Sequence, residues 1–451
     1  MDVMEWVIKI LSKWRYSPFI LPLVFFGILL GLFYVPLPDG ISTTIQTRGI
    51  VGLIIAIVTT VIFWRCQQPP KVKKGHVGII IAVKSEDEKT KGRISKDFVA
   101  TCKKLLEESR APQPFQLIEL NEYFSEQATD NVSANQLRLR CDGHLLIFGD
   151  TVQRRERGKN FYVLRLQGLV CHTPISVNDQ SALAQEMDSV LPLKNTILEE
   201  NELSGFEITS VQLAEATKYV IATAALLSRD CNFAISLLEE IQKNKEKLKI
   251  NSNVKAIRKL IDLVPIRLAD AYRFASIASF TRWESSRDSN DLQKSIDWII
   301  KYDKIMPADN LHVSLLRAIG HFVFSRDIDA AMRCINPCKS RYIADPSWKY
   351  SAAFLEAYRN NLDNAKQFYD AAKPTEIGYH IPFQIEGFIA WILDIEPKNT
   401  QLNFCLGYIN EIFKNDFVSA RKYYSEFLNA PCQDGFTTRA IEHVKTFMAV
   451  Q

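Results

Sequence analysis

Two apolar runs near the start of the chain, residues 16–38 and 49–64, limit what this sequence can fold into more than any other feature. The first run has no charged residue, and at about 1.5 Å rise per residue it can cross a hydrocarbon core of about 30 Å. The second run is shorter, so it spans only if residues 45–47 join it and Arg48 reaches the interface, or if the bilayer thins locally. The two runs together predict a transmembrane α-hairpin.

A pair of buried core helices and a cleaved signal peptide are the two alternatives for these runs. Core helices normally present one polar face, and neither run has one. A signal peptide ends in small residues, whereas the first run ends in VPLPDG and a second apolar run follows it. Both alternatives therefore explain the sequence less well than a membrane hairpin does.

The charges around the two runs predict how the hairpin is oriented. The loop between the runs holds one acidic residue and no basic residue, with Arg48 at its border. Basic residues lie outside both runs: Lys9, Lys13, Arg15, Arg65, Lys71, Lys73 and Lys74. The positive-inside rule then predicts a two-pass protein of the cell's inner (plasma) membrane, with both termini and the soluble domains in the cytoplasm.

The segment before the first run and two glycines within it predict further membrane contacts. Residues 3–14 place apolar side chains, including Trp6 and Trp14, along one helical face. Such a helix suits the headgroup region of the lipid, although the same residues could extend the first membrane helix. Gly27 and Gly31 form a G-x-x-x-G pair that lets helices approach closely, which allows a homo-oligomer.

Composition limits the function classes. The 451 residues leave room for this anchor and two or three domains, and a net charge of +4 gives no argument for a nucleic acid partner. Nine scattered cysteines, an odd number, suit a reducing compartment. The sequence contains no G-x-S-x-G, H-E-x-x-H or C-x-x-C motif, so it predicts no catalytic residue, no metal and no cofactor.

A small α/β domain is predicted after a linker at residues 67–75, where paired prolines exclude a helix. Apolar and alternating patterns predict strands at residues 76–83, 115–120, 144–152 and 161–171, and helices at 94–109, 134–140 and 181–201. This order predicts a domain over residues 76–203 with a mostly parallel sheet and an antiparallel edge.

The strand within residues 142–150, DGHLLIFGD, leads into a hairpin after two strand–helix crossovers. In this order, residues 75–173 resemble the small α/β domain at the amino terminus of TolB-like proteins. The resemblance implies a fold that is often joined to helical repeats and that carries no catalytic residues. The turn KSEDEKTKG lacks both common phosphate-binding patterns. Only the fold class therefore argues for a small-molecule ligand at the strand ends.

Residues 204–451 have a helical sequence pattern that repeats along the chain. Ala331 and Ala365 lie 34 residues apart, and each follows a short polar turn. Similar positions, each with a bulky residue four places later, occur at Ala234, Ser295 and Ala420, and the bulky residues of the series include Tyr369 and Tyr424. This 34-residue unit resembles the tetratricopeptide repeat, in which the small residue lets paired helices approach and the aromatic residue fills the gap between neighbours.

The resemblance implies a C-terminal all-α tetratricopeptide-like solenoid. The chain departs from that family because the W-x-x-L-G-x-x-Y half of the motif is largely missing, with Leu406-Gly407 as its nearest match. Unit boundaries within residues 251–288 and 373–400 therefore stay open. The predicted fold is multidomain: a transmembrane α-hairpin at residues 1–66, the linker, the α/β domain and the solenoid.

These features predict a membrane-anchored scaffold that recruits a protein partner to its repeat surface without catalysis. The alternative is a membrane effector of the bacterial defence or stress type. In that case the soluble domains would sense a ligand or partner, and the oligomerising hairpin would perturb the bilayer. No sequence feature predicts an enzyme.

Overall fold

The computed structural model describes residues 68–86, 88–156, 159–171, 177–191, 194–198, 202–250, 255–306, 310–372, 381–429 and 438–450. The predicted membrane segment lies outside these ranges, together with the residues assigned to it: Trp6, Trp14, Gly27, Gly31, Arg48 and Arg65. None of the helices within the described ranges is long and apolar enough to cross a membrane. The chain divides into two compact units, one ending at Leu268 and the other beginning at Ala269.

A five-stranded sheet lies in the described part of the first unit. Its strands are β1 (Val77–Ser85), β2 (Phe115–Glu119), β3 (Leu145–Glu156), β4 (Lys159–Val170) and β5 (Lys194–Leu198). Their order is β2-β1-β3-β4-β5; β1 pairs in parallel with β2 and β3, and β4 runs antiparallel to β3 and β5. The predicted mixed α/β sheet is confirmed, although its antiparallel part is as large as its parallel part.

Helices cover both faces of this sheet. The helices described before residue 251 are α1 (Glu88–Arg93), a π-helical segment (Ile94–Val99), α2 (Ala100–Glu107), α3 (Glu122–Ser125), α4 (Asn131–Arg140), α5 (Val177–Val190), α6 (Glu202–Leu227) and α7 (Cys231–Ile250), which packs on α6. Phe124 of α3 and Leu137 of α4 pack against Ile80 and Leu146. Because side chains alternate along a strand, Ile79 belongs to the opposite face. There α2 packs against β2 and α6, and α6 also contacts β4 and β5.

The single helix predicted over residues 181–201 is wrong in its second half. Helix α5 ends at Val190, and residues Lys194–Leu198 form β5 instead. Strand β5 pairs along β4, with Leu198 opposite Phe161. Pairing with an existing strand thus overrides the local helical pattern. The domain boundary predicted between residues 203 and 204 falls within the first unit, which contains α6 and α7.

The predicted linker is attached to the first residues of β1 and β2 and to the turn before β3. The Val72 amide donates to the Cys141 carbonyl at 2.9 Å, and the Lys73 amide donates to Oε1 of Gln116 at 2.7 Å. The Val72 side chain packs so closely over Gly78 that a Cβ on this glycine would lie 2.2 Å from Cγ2 of Val72. Lys71 forms an ion pair with Asp142 at 3.3 Å. These contacts fix where the chain enters the sheet.

The second unit is helical throughout its described ranges. Its helices are α8 (Lys255–Ser286, which begins in the first unit), α9 (Ser289–Ile305), α10 (Leu311–Ser325), α11 (Ile328–Ile335), α12 (Cys338–Arg341), α13 (Ser347–Tyr358), α14 (Leu362–Ala371), α15 (Ile381–Ile395), α16 (Leu402–Tyr408) with a π-helical end (Ile409–Phe413), α17 (Phe417–Leu428) and α18 (Thr438–Val450). The predicted all-α part is therefore confirmed.

One kind of turn recurs between paired helices in the described chain. A residue in the left-handed region is followed by a side chain that caps the next helix, and the pairs are Arg229-Asp230, Arg287-Asp288, Arg326-Asp327, Asn360-Asn361 and Asn415-Asp416. At the third of these turns, for example, Oδ1 of Asp327 accepts from the Ala330 amide at 2.8 Å. The capping oxygen satisfies an amide that would otherwise lack a partner. The polar turns noted in the sequence are thus real helix–helix connections.

The small residues predicted to pack between helices are all buried. Ala234, Ser295, Ala331, Ala365 and Ala420 are each 0% exposed. The alanines lie four residues after the capping residue, whereas Ser295 lies seven after it. The Ser295 hydroxyl meets the Ser276 hydroxyl of α8 at 2.9 Å. Ser295 thus lies outside the register of the alanines, and it joins two helices by a hydrogen bond as well as by its small size.

A close approach also occurs in the last helix pair. A Cβ on Gly407 of α16 would lie 2.4 Å from ring carbons of Tyr424, which is itself fully buried. A glycine at this position lets the Tyr424 ring lie against the backbone of α16. The Leu406-Gly407 pair, although displaced from the tetratricopeptide register, thus lies where two helices meet.

Candidate functional site

The candidate site is a pocket in the second unit, lined by residues of α8 and the turn after it, α10, α11, α13 and α15. Its volume is about 340 Å³. Its apolar lining consists of Ile277, Phe280, Trp283, Leu315, Leu316, Ala318, Ile319, Phe322, Ile335, Phe354, Leu355, Ile385 and Phe388. A largely apolar concavity with a few polar groups is the usual form of a ligand site.

Aromatic rings in mutual contact form the walls of this pocket. The Phe322 ring meets the Phe354 ring edge to face, with centroids 4.9 Å apart, and Phe354 meets Phe388 at 5.1 Å. The Trp283 ring lies 6.1 Å from Phe388. Rings packed in this way have little freedom to move, and edge-to-face pairs are a favoured aromatic arrangement. The pocket walls are therefore preformed.

Arg287 lines the pocket from the turn after α8. Its guanidinium lies 4.8 Å from the centroid of Trp283 and 5.0 Å from that of Trp391, so it contacts two indole rings that themselves meet edge to face. Burial lowers the pKa of Arg287, and nearby Glu284 acts in the opposite sense. A guanidinium remains charged at neutral pH despite such a shift. The pocket therefore has a fixed cation, and Glu284, which also lines it, adds a carboxylate.

His312 adds a neutral polar group to the lining. Its amide donates to Oδ1 of Asn310 at 3.0 Å, which places the residue in the first turn of α10. Burial, with a smaller contribution from Arg273, lowers the pKa of His312, so the imidazole is neutral at pH 7. Its Nε2 atom is inaccessible and has no hydrogen-bond partner among the described residues.

None of the packing residues predicted from the sequence lines this pocket. Ala331, Ala365, Tyr369, Ala420 and Tyr424 are core residues of the helix pairs. Ile335, the bulky residue four places after Ala331, does line it. Sequence reasoning missed Trp283, Arg287 and Phe388. A signal that could have found the first two is the SRD turn, which two other helix pairs share. Trp283 lies one helical turn before Arg287 of this turn.

The described residues contain no group of three or more His, Cys, Asp or Glu side chains that could hold a metal ion. The pocket itself offers a different chemistry, namely apolar surface with a cation, a carboxylate and the hydroxyls of Ser347 and Ser351. This set can bind and orient a side chain or a small apolar molecule. Comparisons of the chain with protein-family models, with curated proteins and with solved structures found no match.

Proposed function

We propose that this protein is a membrane-anchored scaffold whose helical unit recruits a protein partner by receiving an apolar side chain in the aromatic pocket. The observation that carries the proposal is the preformed cavity of about 340 Å³ walled by Phe280, Trp283, Phe322, Phe354 and Phe388. Partner side chains that fill such pockets commonly provide most of the binding energy of an interface.

The size and polarity of the pocket favour a side chain over a large cofactor. Ligand pockets range from roughly 300 to 1,000 Å³, so this pocket is near the small end. Arg287 and Glu284 add a cation and a carboxylate to the apolar lining. A bulky apolar residue next to a charged one on the partner would match this lining.

The helix pairs support a scaffold that resembles the tetratricopeptide array. Paired helices with buried small residues and similar capped turns recur between Glu202 and Leu428, in both units. Repeated helix pairs commonly present extended binding surfaces. The solenoid arrangement itself, like the cytoplasmic location, is part of the proposal.

The anchor is the second part of the proposal and rests on residues 16–38 and 49–64. We expect a cysteine introduced at Ser42, in a chain whose native cysteines are replaced, to react with a membrane-impermeant maleimide only from the outer side. A cysteine at Ser425 of the same chain should react only after the cells are opened. Labelling of Ser42 from the cytoplasmic side would contradict the hairpin.

The partner site predicts a large effect of Ser351→Trp. Ser351 is a half-buried pocket residue of α13 whose hydroxyl donates to the Ser347 carbonyl at 3.3 Å. An indole at this position fills the cavity and should weaken partner capture about thirtyfold, because losing a hot-spot contact costs about 2 kcal/mol or more. The measurement is photo-cross-linking in cells from benzoylphenylalanine placed at the exposed pocket residue Gln384 of the full chain.

Thr446→Trp is the matched control for this change. Thr446 is exposed on α18, makes the same hydroxyl-to-carbonyl bond four residues back, at 2.8 Å to Glu442, and does not line the pocket. Thr446→Trp should leave the yield of the cross-linked product unchanged. An equal yield of that product from the wild type and Ser351→Trp, with both folded, would argue against the pocket as the partner site.

A second candidate function is a membrane effector, favoured by the Gly27 and Gly31 pair and by the short second run. Here the helical unit would sense its ligand, and the oligomerised hairpin would make the bilayer leak. Ion leakage on overexpression, abolished by deleting residues 1–66, would favour this candidate over a passive anchor. Normal membrane potential at high expression, with or without the pocket's partner, would exclude it.

A further inference from the structure

Arg287 is a half-buried cation of the aromatic pocket that forms no ion pair with any described residue. Its guanidinium lies over the rings of Trp283 and Trp391, and its Nη2 donates to the Gly387 carbonyl at 3.5 Å. Aromatic rings contact a guanidinium through its face, whereas carboxylates bind the N–H groups at its edge. The other N–H groups of Arg287 have no hydrogen-bond partner among the described residues, so they can donate to a ligand.

The same Ser-Arg-Asp turn occurs twice more in the chain, and its arginines have different surroundings. Arg326 is also half-buried and also lies over an aromatic ring, that of Phe322, but its Nε donates to Oε1 of Glu396 at 2.7 Å. Arg229 is exposed to water. Of these three arginines, Arg287 is therefore the one that is removed from water without a carboxylate at ion-pair distance.

The carboxylate that lines the pocket does not compensate Arg287 fully. Glu284 lies three residues before it on α8 and acts to raise the pKa of Arg287, but burial has the larger and opposite effect, so this pKa is lowered. Burial thus destabilises the charged guanidinium more than Glu284 stabilises it. A ligand carboxylate that reached the guanidinium would stabilise it further, because a partly buried charge is screened less than an exposed one.

We propose that the aromatic pocket takes a bulky apolar group joined to a carboxylate, and that Arg287 binds this carboxylate; this assignment rests on the proposed partner function and narrows it. The partner then offers a large apolar side chain beside an acidic group, which is either its carboxy terminus or an aspartate or glutamate. A guanidinium can bind both carboxylate oxygens at once, and such charge-assisted hydrogen bonds are among the strongest in proteins. The aromatic walls would provide affinity, and Arg287 would select the acidic partner.

Short peptides that contain 4-fluorophenylalanine test this assignment on the full chain in nanodiscs of uncharged lipid. The first pair is acetyl-Gly-Gly-fluorophenylalanine as the free acid and as its amide. The second pair is an amidated peptide with Asp or with Asn before the fluorinated residue. Fluorine NMR line broadening gives each dissociation constant. In at least one pair the acidic peptide should bind roughly tenfold tighter than its neutral counterpart, and that pair identifies the source of the carboxylate.

Variants of Arg287 connect this preference to the guanidinium. Arg287→Gln should remove the preference and leave binding of the neutral peptides unchanged, which also shows that the pocket is folded. Arg287→Lys keeps the charge but loses the fork, so it should keep part of the preference. Arg229→Gln is the matched control, because Arg229 has the same turn and the same left-handed backbone but lies outside the pocket lining. It should bind every peptide as the wild type does.

Several results would overturn the role of Arg287 and leave the pocket as a partner site. Acidic and neutral peptides could bind equally, or the preference could survive Arg287→Gln. A peptide with Lys in place of Asp could bind tightest, which would indicate that Glu284 selects the partner. In each case Ser351→Trp should still block the peptides. If no peptide binds at millimolar concentration, or if Ser351→Trp leaves binding unchanged, both this assignment and the partner pocket are overturned.

Discussion

Replacing Lys218 with methionine is expected to destabilise the first unit by about 3–5 kcal/mol, the usual effect of removing one partner from a buried ion pair. Lys218 of α6 is only 3% exposed. Its ammonium lies 2.7 Å from Oε1 of Glu240 on α7 and 3.1 Å from Oε1 of Glu215. Without the cation, two carboxylates remain close together in a place that water reaches poorly. We expect α6 and α7 to separate as a result.

The pKa shifts agree with this arrangement. Burial lowers the pKa of Lys218, but the two glutamates outweigh it and the pKa is raised. Because the pKa of Lys218 is raised in the folded state, the charged ammonium gives its full stabilisation at any pH below the ordinary lysine pKa of about 10.4. This stabilisation is lost as the pH rises through the pKa of Lys218 in the folded protein. The cation is therefore present across the physiological range.

Hydrogen exchange of the full chain, read by mass spectrometry on peptides from α6, measures this effect as a loss of protection. The control is the triple variant Glu215→Gln, Lys218→Met, Glu240→Gln, which removes both charges left unpaired. It should recover most of the protection, because replacing a whole buried charge group is often close to neutral. The amide introduced by Glu240→Gln keeps an oxygen that can accept from the Ser109 hydroxyl and the Arg110 amide, as the Glu240 carboxylate does. Wild-type protection in Lys218→Met would show that the ammonium contributes little.

Tyr369→Ala is expected to destabilise the second unit by about 3–5 kcal/mol, as large-to-small changes in a core do. Tyr369 is 0% exposed, one helical turn after Ala365. Its ring stacks on Tyr408 with centroids 5.5 Å apart and lies 6.2 Å from Tyr350. Truncation leaves a cavity among rings that belong to α13, α14 and α16.

Tyr369→Phe is the control that separates the ring from its hydroxyl. That hydroxyl is buried beside the Cys405 thiol, which is a weak hydrogen-bond partner. Removing it should change stability by less than about 1 kcal/mol, since a poorly bonded buried hydroxyl contributes little. Urea unfolding followed by tryptophan fluorescence measures both variants. Equal destabilisation by alanine and phenylalanine would contradict the view that Tyr369 acts by filling space.

Much of the sheet could be predicted because its strands carry their own signals. The apolar run at residues 76–83 and the run FQLIEL correspond closely to β1 and β2. Strand β5 could not be found this way, because KNTIL has no alternation and becomes a strand only by pairing along β4. Local sequence patterns identify strands whose own side chains are mostly apolar, and they miss strands that form only by pairing with a neighbouring strand.

Candidate sites were harder to predict than elements. The pocket joins Trp283 and Phe388, which lie 105 residues apart in the chain. Each residue alone looks like an ordinary core aromatic, and only the packing of the helices shows that a cavity remains between them. The polar turns were visible in the sequence, but the contact of Arg287 with two indole rings was not.

The attachment of the linker at Val72 has a mechanical consequence. A membrane anchor would pull on the chain at Gln68, just before the amino end of β1, a strand with a parallel neighbour on each side. Tension along β1 would load the hydrogen bonds to β2 and β3 in shear, so that many must break together, whereas a pull across the strand would unzip them one by one. Tension along this strand would thus be shared among the hydrogen bonds that join β1 to β2 and β3.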